Sequence, residues 1–249
     1  MHLVSEGTDW WSCMGNSSEH DDAGGDRAGS AVDRALGSLR RMIFEGQLLP
    51  GTPVRQAAVA EHLGMSRVPV REALKLLEGD GVLVYELNVG FRVAELSPTD
   101  IGQIYLMRRL LETELLSRMP RQHEQDMTEF ELLNRKMAAA NKLGDLAEFM
   151  RLNRRFHFAM FDRCGLPLVV AKVAELWDLA APYNAMYGSS TKIRTQVVGE
   201  HVGLINALRN GDNADLVAKM NGHREQSISR QSGSKAVEVA KPNFPSASA

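Results

Sequence analysis

The sequence predicts a mainly α protein in two parts: a winged helix-turn-helix over residues 31–95 and an all-α bundle over residues 96–231. Three observations carry this. Residues 56–93 read helix, tight turn, helix and hairpin, while from Ser97 onward apolar residues recur at helical spacing between Gly, Asn and Asp punctuation. Residues 1–30 and 232–249 show neither pattern and read as flexible tails, the first acidic and the second rich in Ser, Pro and small residues.

In the first part, Ala57–Leu63 suits a short helix, and Gly64 supplies the positive φ that a tight reversal needs. Ser66 is placed to cap the next helix, and Pro69 falls in its first turn, where a missing N–H costs little. Val70, Leu74 and Leu77 then repeat at four and three residues as an inward stripe, and Gly81 ends the helix. Arg67, Arg71 and Lys75 recur every four residues on a different face. Val82–Tyr85 and Phe91–Val93 are β-prone runs flanking Asn88-Val89-Gly90, a hairpin signal.

A row of basic residues is often only a solvated face, and the balance here is even. Residues 31–95 hold eight basic and eight acidic side chains, so the module is neutral. Its geometry nonetheless suits a DNA reader, since arginine is the usual bidentate partner of guanine in the major groove. A steep nonspecific affinity is not expected.

The second part opens at Ser97-Pro98-Thr99-Asp100, where Ser caps, Pro takes the first position and Asp meets the positive end of the helix dipole. Helices are predicted at about 98–118, 124–143, 145–164, 168–180, 191–210 and 212–229, with a broken turn near Pro182–Tyr187. His157, His201 and His223 each lie on the apolar side of their helix, and Asn153 shares the face of His157 one turn earlier. A single inward histidine is more often a satisfied core residue than a ligand. Three of them beside an asparagine describe equally well the nitrogen-rich half of a zinc or nickel site with open positions.

Composition excludes several classes. The hydrophobic share of 44% is too high for a disordered chain, and no apolar stretch approaches a membrane span. No secretory leader is read at the start, and Cys13 and Cys164 do not make a disulfide framework, so a reducing cytoplasm is expected. Residues 1–30 carry six acids against Arg27, a net of −5 in a chain of net −2, which leaves the remainder at +3. Trp10 and Trp11 are unusual in such a tail.

Leu63-Gly64-Met65-Ser66-Arg67-Val68-Pro69-Val70-Arg71-Glu72-Ala73-Leu74 resembles the signature of the GntR family of bacterial transcription regulators, as does the earlier Ile43–Gly51. The resemblance implies that Arg67 and Arg71 read the groove, with Asn88 and Gly90 at a wing tip reaching the minor groove; Ser66, Val68 and Lys75 are expected at the same DNA face. Ala57 and Val89 stand where relatives carry basic or polar contacts, which makes Arg55 the expected substitute.

Leu152–His157, Glu200-His201, Ala207–Asp212 and Met220–His223 resemble the FCD effector domain of the FadR-like branch. That resemblance implies a divalent metal, zinc foremost with nickel or manganese as options, held by Asn153, His157, His201 and His223. It also assigns Arg108 to a carboxylate effector. Tyr183 is expected to line the pocket, although Tyr183 and Tyr187 read equally well as pocket lining or as core. On its own Arg108 reads as the i,i+4 partner of Glu112.

The expected function is a dimeric repressor on a palindromic double-stranded operator, controlled by a small organic acid. A regulator that responds to the metal ion itself is the first alternative. A metal-dependent hydrolase is the second, and it lacks a general base: Glu200, beside His201, points about 100° away around the helix.

Overall fold

The computed structural model describes residues 30–232. The expected tails, with Trp10, Trp11 and Cys13, lie outside them. The first domain runs α1 (Ala31–Phe44), β1 (Pro53–Val54), α2 (Gln56–His62), α3 (Arg67–Gly79), β2 (Leu83–Glu86) and β3 (Gly90–Val93). α1 starts in a capping box: Asp33 N–H donates to Ser30 Oγ at 3.1 Å, and Ser30 N–H donates to the Asp33 carboxylate at 2.9 Å. Leu39, Leu48, Val59, Val70, Leu74, Leu77 and Val93 form its buried core.

The hairpin pairs Leu83 with Val93 and Tyr85 with Phe91, and it turns on Asn88 (φ 67°) and Gly90 (φ 100°). β1, not anticipated from the sequence, adds a third antiparallel strand in the order β1-β3-β2. Two residues are too short to show an alternation, and only pairing with β3 reveals them.

The bundle contains α4 (Pro98–Ser117), α5 (Glu124–Leu143), α6 (Leu146–Phe161), a short 3-10 turn (Asp162–Cys164), α7 (Pro167–Tyr187), α8 (Thr191–Asn210) and α9 (Asn213–Ser232). The capping box expected at Ser97 and Asp100 is present. Phe130, Phe156, Phe158 and Phe161 anchor a large apolar core between the helices.

One expectation fails: α7 does not break near Pro182 but continues to Tyr187. A proline inside a helix costs roughly 3 kcal/mol through a lost hydrogen bond and a clash. Tertiary contacts on both sides of the ring offset that cost. Trp177, Ala181 and Ala185 are buried, and the next turn is pinned where Tyr105 Oη donates to Asn184 Oδ1 at 3.0 Å.

The domains meet along α7 and α1. Leu179 packs against the first core, and the Tyr183 hydroxyl accepts a 2.5 Å hydrogen bond from the Leu96 N–H in the connecting segment. A row of charges crosses the same boundary. Arg154 Nη1 lies 3.0 Å from Asp178, whose other oxygen lies 3.6 Å from Arg40 Nε, and Arg40 also holds Asp80 at 2.7 Å.

Candidate functional site

On the first domain, α3 presents Arg67 and Arg71 to solvent one turn apart, while Val70 and Leu74 bury its opposite side. Lys75 shares the exposed face but leans toward Glu72 at 3.4 Å. Val68 is 72% exposed, which leaves its isopropyl group free to meet a thymine methyl. Arg55 is exposed at the start of α2, and Asn88 is exposed in the wing, with the less exposed Gly90 two residues on. Ser66 stands at the N-cap position, but its side chain makes no capping hydrogen bond, contrary to expectation. Its hydroxyl is exposed instead, and Gln56 Nε2 reaches over to the Arg67 carbonyl at 2.7 Å.

The wing is apolar rather than basic. Leu87 and Val89 are 78% and 56% exposed, and Arg92 turns to Glu86 at 3.3 Å.

In the bundle, three helices bring His157 (α6), His201 (α8) and His223 (α9) together, with all their potential ligand atoms within 4.8 Å of one another. All three rings are buried, His201 fully. Phe156 stacks on His201 at 4.1 Å and Trp177 lies 5.0 Å from His157, so aromatic faces close the site. Desolvation, and then the neighbouring imidazoles, hold the pKa of His157 and of His201 well below the ordinary value. Both rings are therefore neutral near pH 7 and present lone pairs.

Both nitrogens of His157 and both of His201 are buried without a hydrogen-bond partner, as is Asn153 Oδ1. A buried polar atom left unpaired costs about 1–3 kcal/mol, so five at one place need a common explanation. A divalent cation held there would account for one nitrogen of each ring, and the Asn153 amide oxygen, which lines the adjoining cavity, is a further donor of the kind such an ion takes; the second nitrogen of each ring stays unpartnered. His223 differs: its Nδ1 lies 2.5 Å from the Glu200 carboxylate. A carboxylate on one imidazole nitrogen orients the ring and leaves the other nitrogen for a metal.

In the sequence Glu200 reads only as a candidate general base, set aside because it points away from His201. The neighbour of His201 does point elsewhere, but it points at α9, and only the approach of α8 to α9 gives it a role.

Beside this cluster lies a cavity of about 80 Å³ whose wall includes Arg108, Asn153, Trp177, Arg194, His223 and Arg224. Arg108 does line it, yet the simpler reading of this residue is also present. Its Nε donates to Glu112 at 2.9 Å, and its guanidinium carbon sits 4.2 Å from the Trp177 ring centre. Glu112, fully buried, also accepts from Trp177 Nε1 at 2.9 Å and lies 3.0 Å from Arg224 Nε. Tyr183 is not part of this wall: its hydroxyl is spent on Leu96, and Tyr187, one turn later, occupies the lining position. The i,i+4 spacing of the two tyrosines left them indistinguishable in the sequence.

A winged helix joined to an all-α bundle with an internal cavity is the architecture of a two-domain DNA-binding regulator. Residues 31–93 match the model of bacterial regulatory proteins of the gntR family, and residues 103–226 match the FCD domain. The chain belongs to the GntR family of transcriptional regulators and carries the FCD domain.

It is similar to the uncharacterized HTH-type transcriptional regulator YdhC of Bacillus subtilis (strain 168), 35% identical over 127 residues, covering 50% of this chain and 56% of YdhC. It is 28% identical over 180 residues to the HTH-type transcriptional regulator McbR of Escherichia coli (strain K12), covering 70% and 80%. The gluconate operon transcriptional repressor of Bacillus licheniformis is 31% identical over 132 residues, covering 53% and 54%. The chain thus spans little more than half of two of these relatives. The solved structure of E. coli McbR/YncC shares the fold, with a TM-score of 0.76 at 24% identity over 82% of this chain and 98% of that one. These relatives are regulators of transcription, not enzymes, and the hydrolase alternative falls away.

Proposed function

We propose that this regulator is a cytoplasmic repressor whose operator affinity is set by a small carboxylate bound beside a divalent metal in the bundle. The observation that carries the reading is the set of unpartnered donors of Asn153, His157 and His201 next to a cavity lined by arginine. His223, oriented by Glu200, completes the donor set. When bound, the ion supplies a Lewis-acidic centre with positions left for carboxylate oxygens. Zinc suits three imidazoles best, with nickel or manganese as rivals. Among the described residues no helix is long and apolar enough to cross a membrane.

Two copies would place their α3 helices in successive major grooves of a palindrome, with Arg67 and Arg71 at base edges and Ser66, Lys75 and Arg55 on the backbone. Asn88 and Gly90 would bring the wing to the adjacent minor groove. The outer face of α4 offers Leu106, Met107 and Leu110, exposed at 46%, 43% and 61%, as an apolar surface for the second copy.

Coupling would pass through α6, which carries Asn153 and His157 and also Arg154, the start of the ionic row to α1. Tyr183 ties α7 to the linker at Leu96. Such coupling amounts to about 1–3 kcal/mol.

The test selects an operator from random duplex DNA with the full chain, then measures anisotropy of that duplex with Zn²⁺ and a panel of small acids. The reading requires that at least one acid change the affinity and that the change vanish on chelation. Indifference to every acid would refute it, and a response to Zn²⁺ alone would favour the metal-sensing alternative.

A further inference from the structure

Arg224 on α9 plays no part in the expected ligand set, and the structure gives it unusual surroundings. It is only 3% exposed, it borders the cavity, and its Nη2 is buried with no hydrogen-bond partner. Its Nη1 donates to Asn221 Oδ1 at 3.0 Å, and its Nε faces the buried carboxylate of Glu112 at 3.0 Å without hydrogen-bonding alignment. Arg108 holds the better geometry on that carboxylate. Two guanidiniums therefore share one acid, and Arg108 is the one that it satisfies.

The third arginine of the wall, Arg194, is fully occupied. Its nitrogens donate to Asn141 Oδ1, to the Gly188 and Ser189 carbonyls and to Thr191 Oγ1. Three guanidiniums border the cavity, against the carboxylate of Glu112 beside two of them and that of Glu200 on His223, which leaves a surplus of one positive charge. Asn153 brings no charge, so a divalent cation held there would be only partly compensated, by the Glu200 carboxylate on His223. Burying such a surplus is costly unless a ligand of matching charge arrives with it.

We infer that Arg224 is the anion anchor of the cavity and that the ligand it selects is a small dicarboxylate. One carboxylate meets Arg224 Nη2, and the other faces Asn153 and His223, which also line the cavity. This rests on the proposed effector reading and adds to it the ligand's charge and the residue that discriminates by it. A monocarboxylate of the same length satisfies one end only and leaves either Arg224 or the histidine end uncompensated. A charge-assisted hydrogen bond to a buried group gives about tenfold or more in affinity.

The experiment is calorimetry on the full chain loaded with Zn²⁺, with succinate, butyrate and inorganic phosphate as probes, alongside metal content and melting temperature. Wild type should bind succinate at least about tenfold more tightly than butyrate. In Arg224→Gln that preference should collapse to about twofold or less with zinc content unchanged, and Arg224→Lys should retain part of it.

Equal binding of succinate and butyrate by wild type overturns the dicarboxylate inference while leaving a monocarboxylate effector open. Tighter binding of phosphate than of succinate overturns it in favour of a compact oxyanion. Retention of the full preference by a folded Arg224→Gln overturns the role of Arg224. If no acid of any kind alters calorimetry or operator affinity, the effector reading itself has failed.

Discussion

Asp178→Asn is the substitution from which the arrangement of the two domains predicts the largest isolated effect. The Asp178 carboxylate lies between Arg154 of α6 and Arg40 of α1, at 3.0 and 3.6 Å. Arg154 is 3% exposed, so its charge cannot be returned to water when the acid is neutralised. Burial lowers the Arg154 pKa and raises that of Asp178, each against the pull of its partner, so desolvation outweighs the attraction on both sides.

Removing one member of a buried pair costs about 3–5 kcal/mol. The Asp178 side chain retains 18% exposure and asparagine keeps an acceptor, which points to the lower end, about 3 kcal/mol. For a chain of this size that is roughly 6–12 °C in melting temperature. Arg40→Gln removes the more distant partner of Asp178, which keeps Arg154 at 3.0 Å, and a pair with Asp80 exposed at 23% and 42%, so it should cost less, about 1 kcal/mol. Because desolvation dominates, Arg154→Met combined with Asp178→Leu should recover more than half of the loss.

The assay is thermal and urea unfolding of the full chain, followed by circular dichroism. A melting shift for Asp178→Asn no larger than that for Arg40→Gln would refute the reasoning, as would a double variant worse than the single.

Four further outcomes are expected. In metal-free protein the unfolded chain takes up protons on His157 and His201 below about pH 6.5, which the folded chain refuses because burial depresses both pKa values. Stability should hold above that pH and fall below it by about 1.4 kcal/mol per pH unit for each ring, and a urea-midpoint profile flat from pH 7 to 5.5 would contradict this. Zn²⁺ at about 100 times its Kd should stabilise wild type by about 2.7 kcal/mol and His201→Ala hardly at all, as read from melting curves and zinc content. Arg71→Ala should weaken specific operator binding by about 1–3 kcal/mol with zinc content unaltered, and joint loss of both properties would undo the division into two modules. Leu110→Glu should shift the sedimentation coefficient toward a monomer, and an unchanged dimer would place the pairing surface elsewhere.

Local chemistry made much of this protein legible before folding. A serine, an acid three residues on and a proline between them set the start of α4. The spacing of Val70, Leu74 and Leu77 separated the buried side of α3 from its arginines, because helix periodicity is a property of neighbours in the chain. The same periodicity turned His157, His201 and His223 inward. It could not say that their rings would come within ligand distance, since that depends on how α6, α8 and α9 approach.

Packing alone decided the rest. Glu200 acquires a role only by reaching α9, Arg224 only by sharing Glu112 with Arg108, and Asp178 only where two domains close on it. The continuity of α7 through Pro182 followed the same logic, as buried contacts on either side outweighed a local penalty that the sequence states without ambiguity. Side chains tens of residues apart meet through the sum of many weak contacts, and no single stretch of sequence contains that sum.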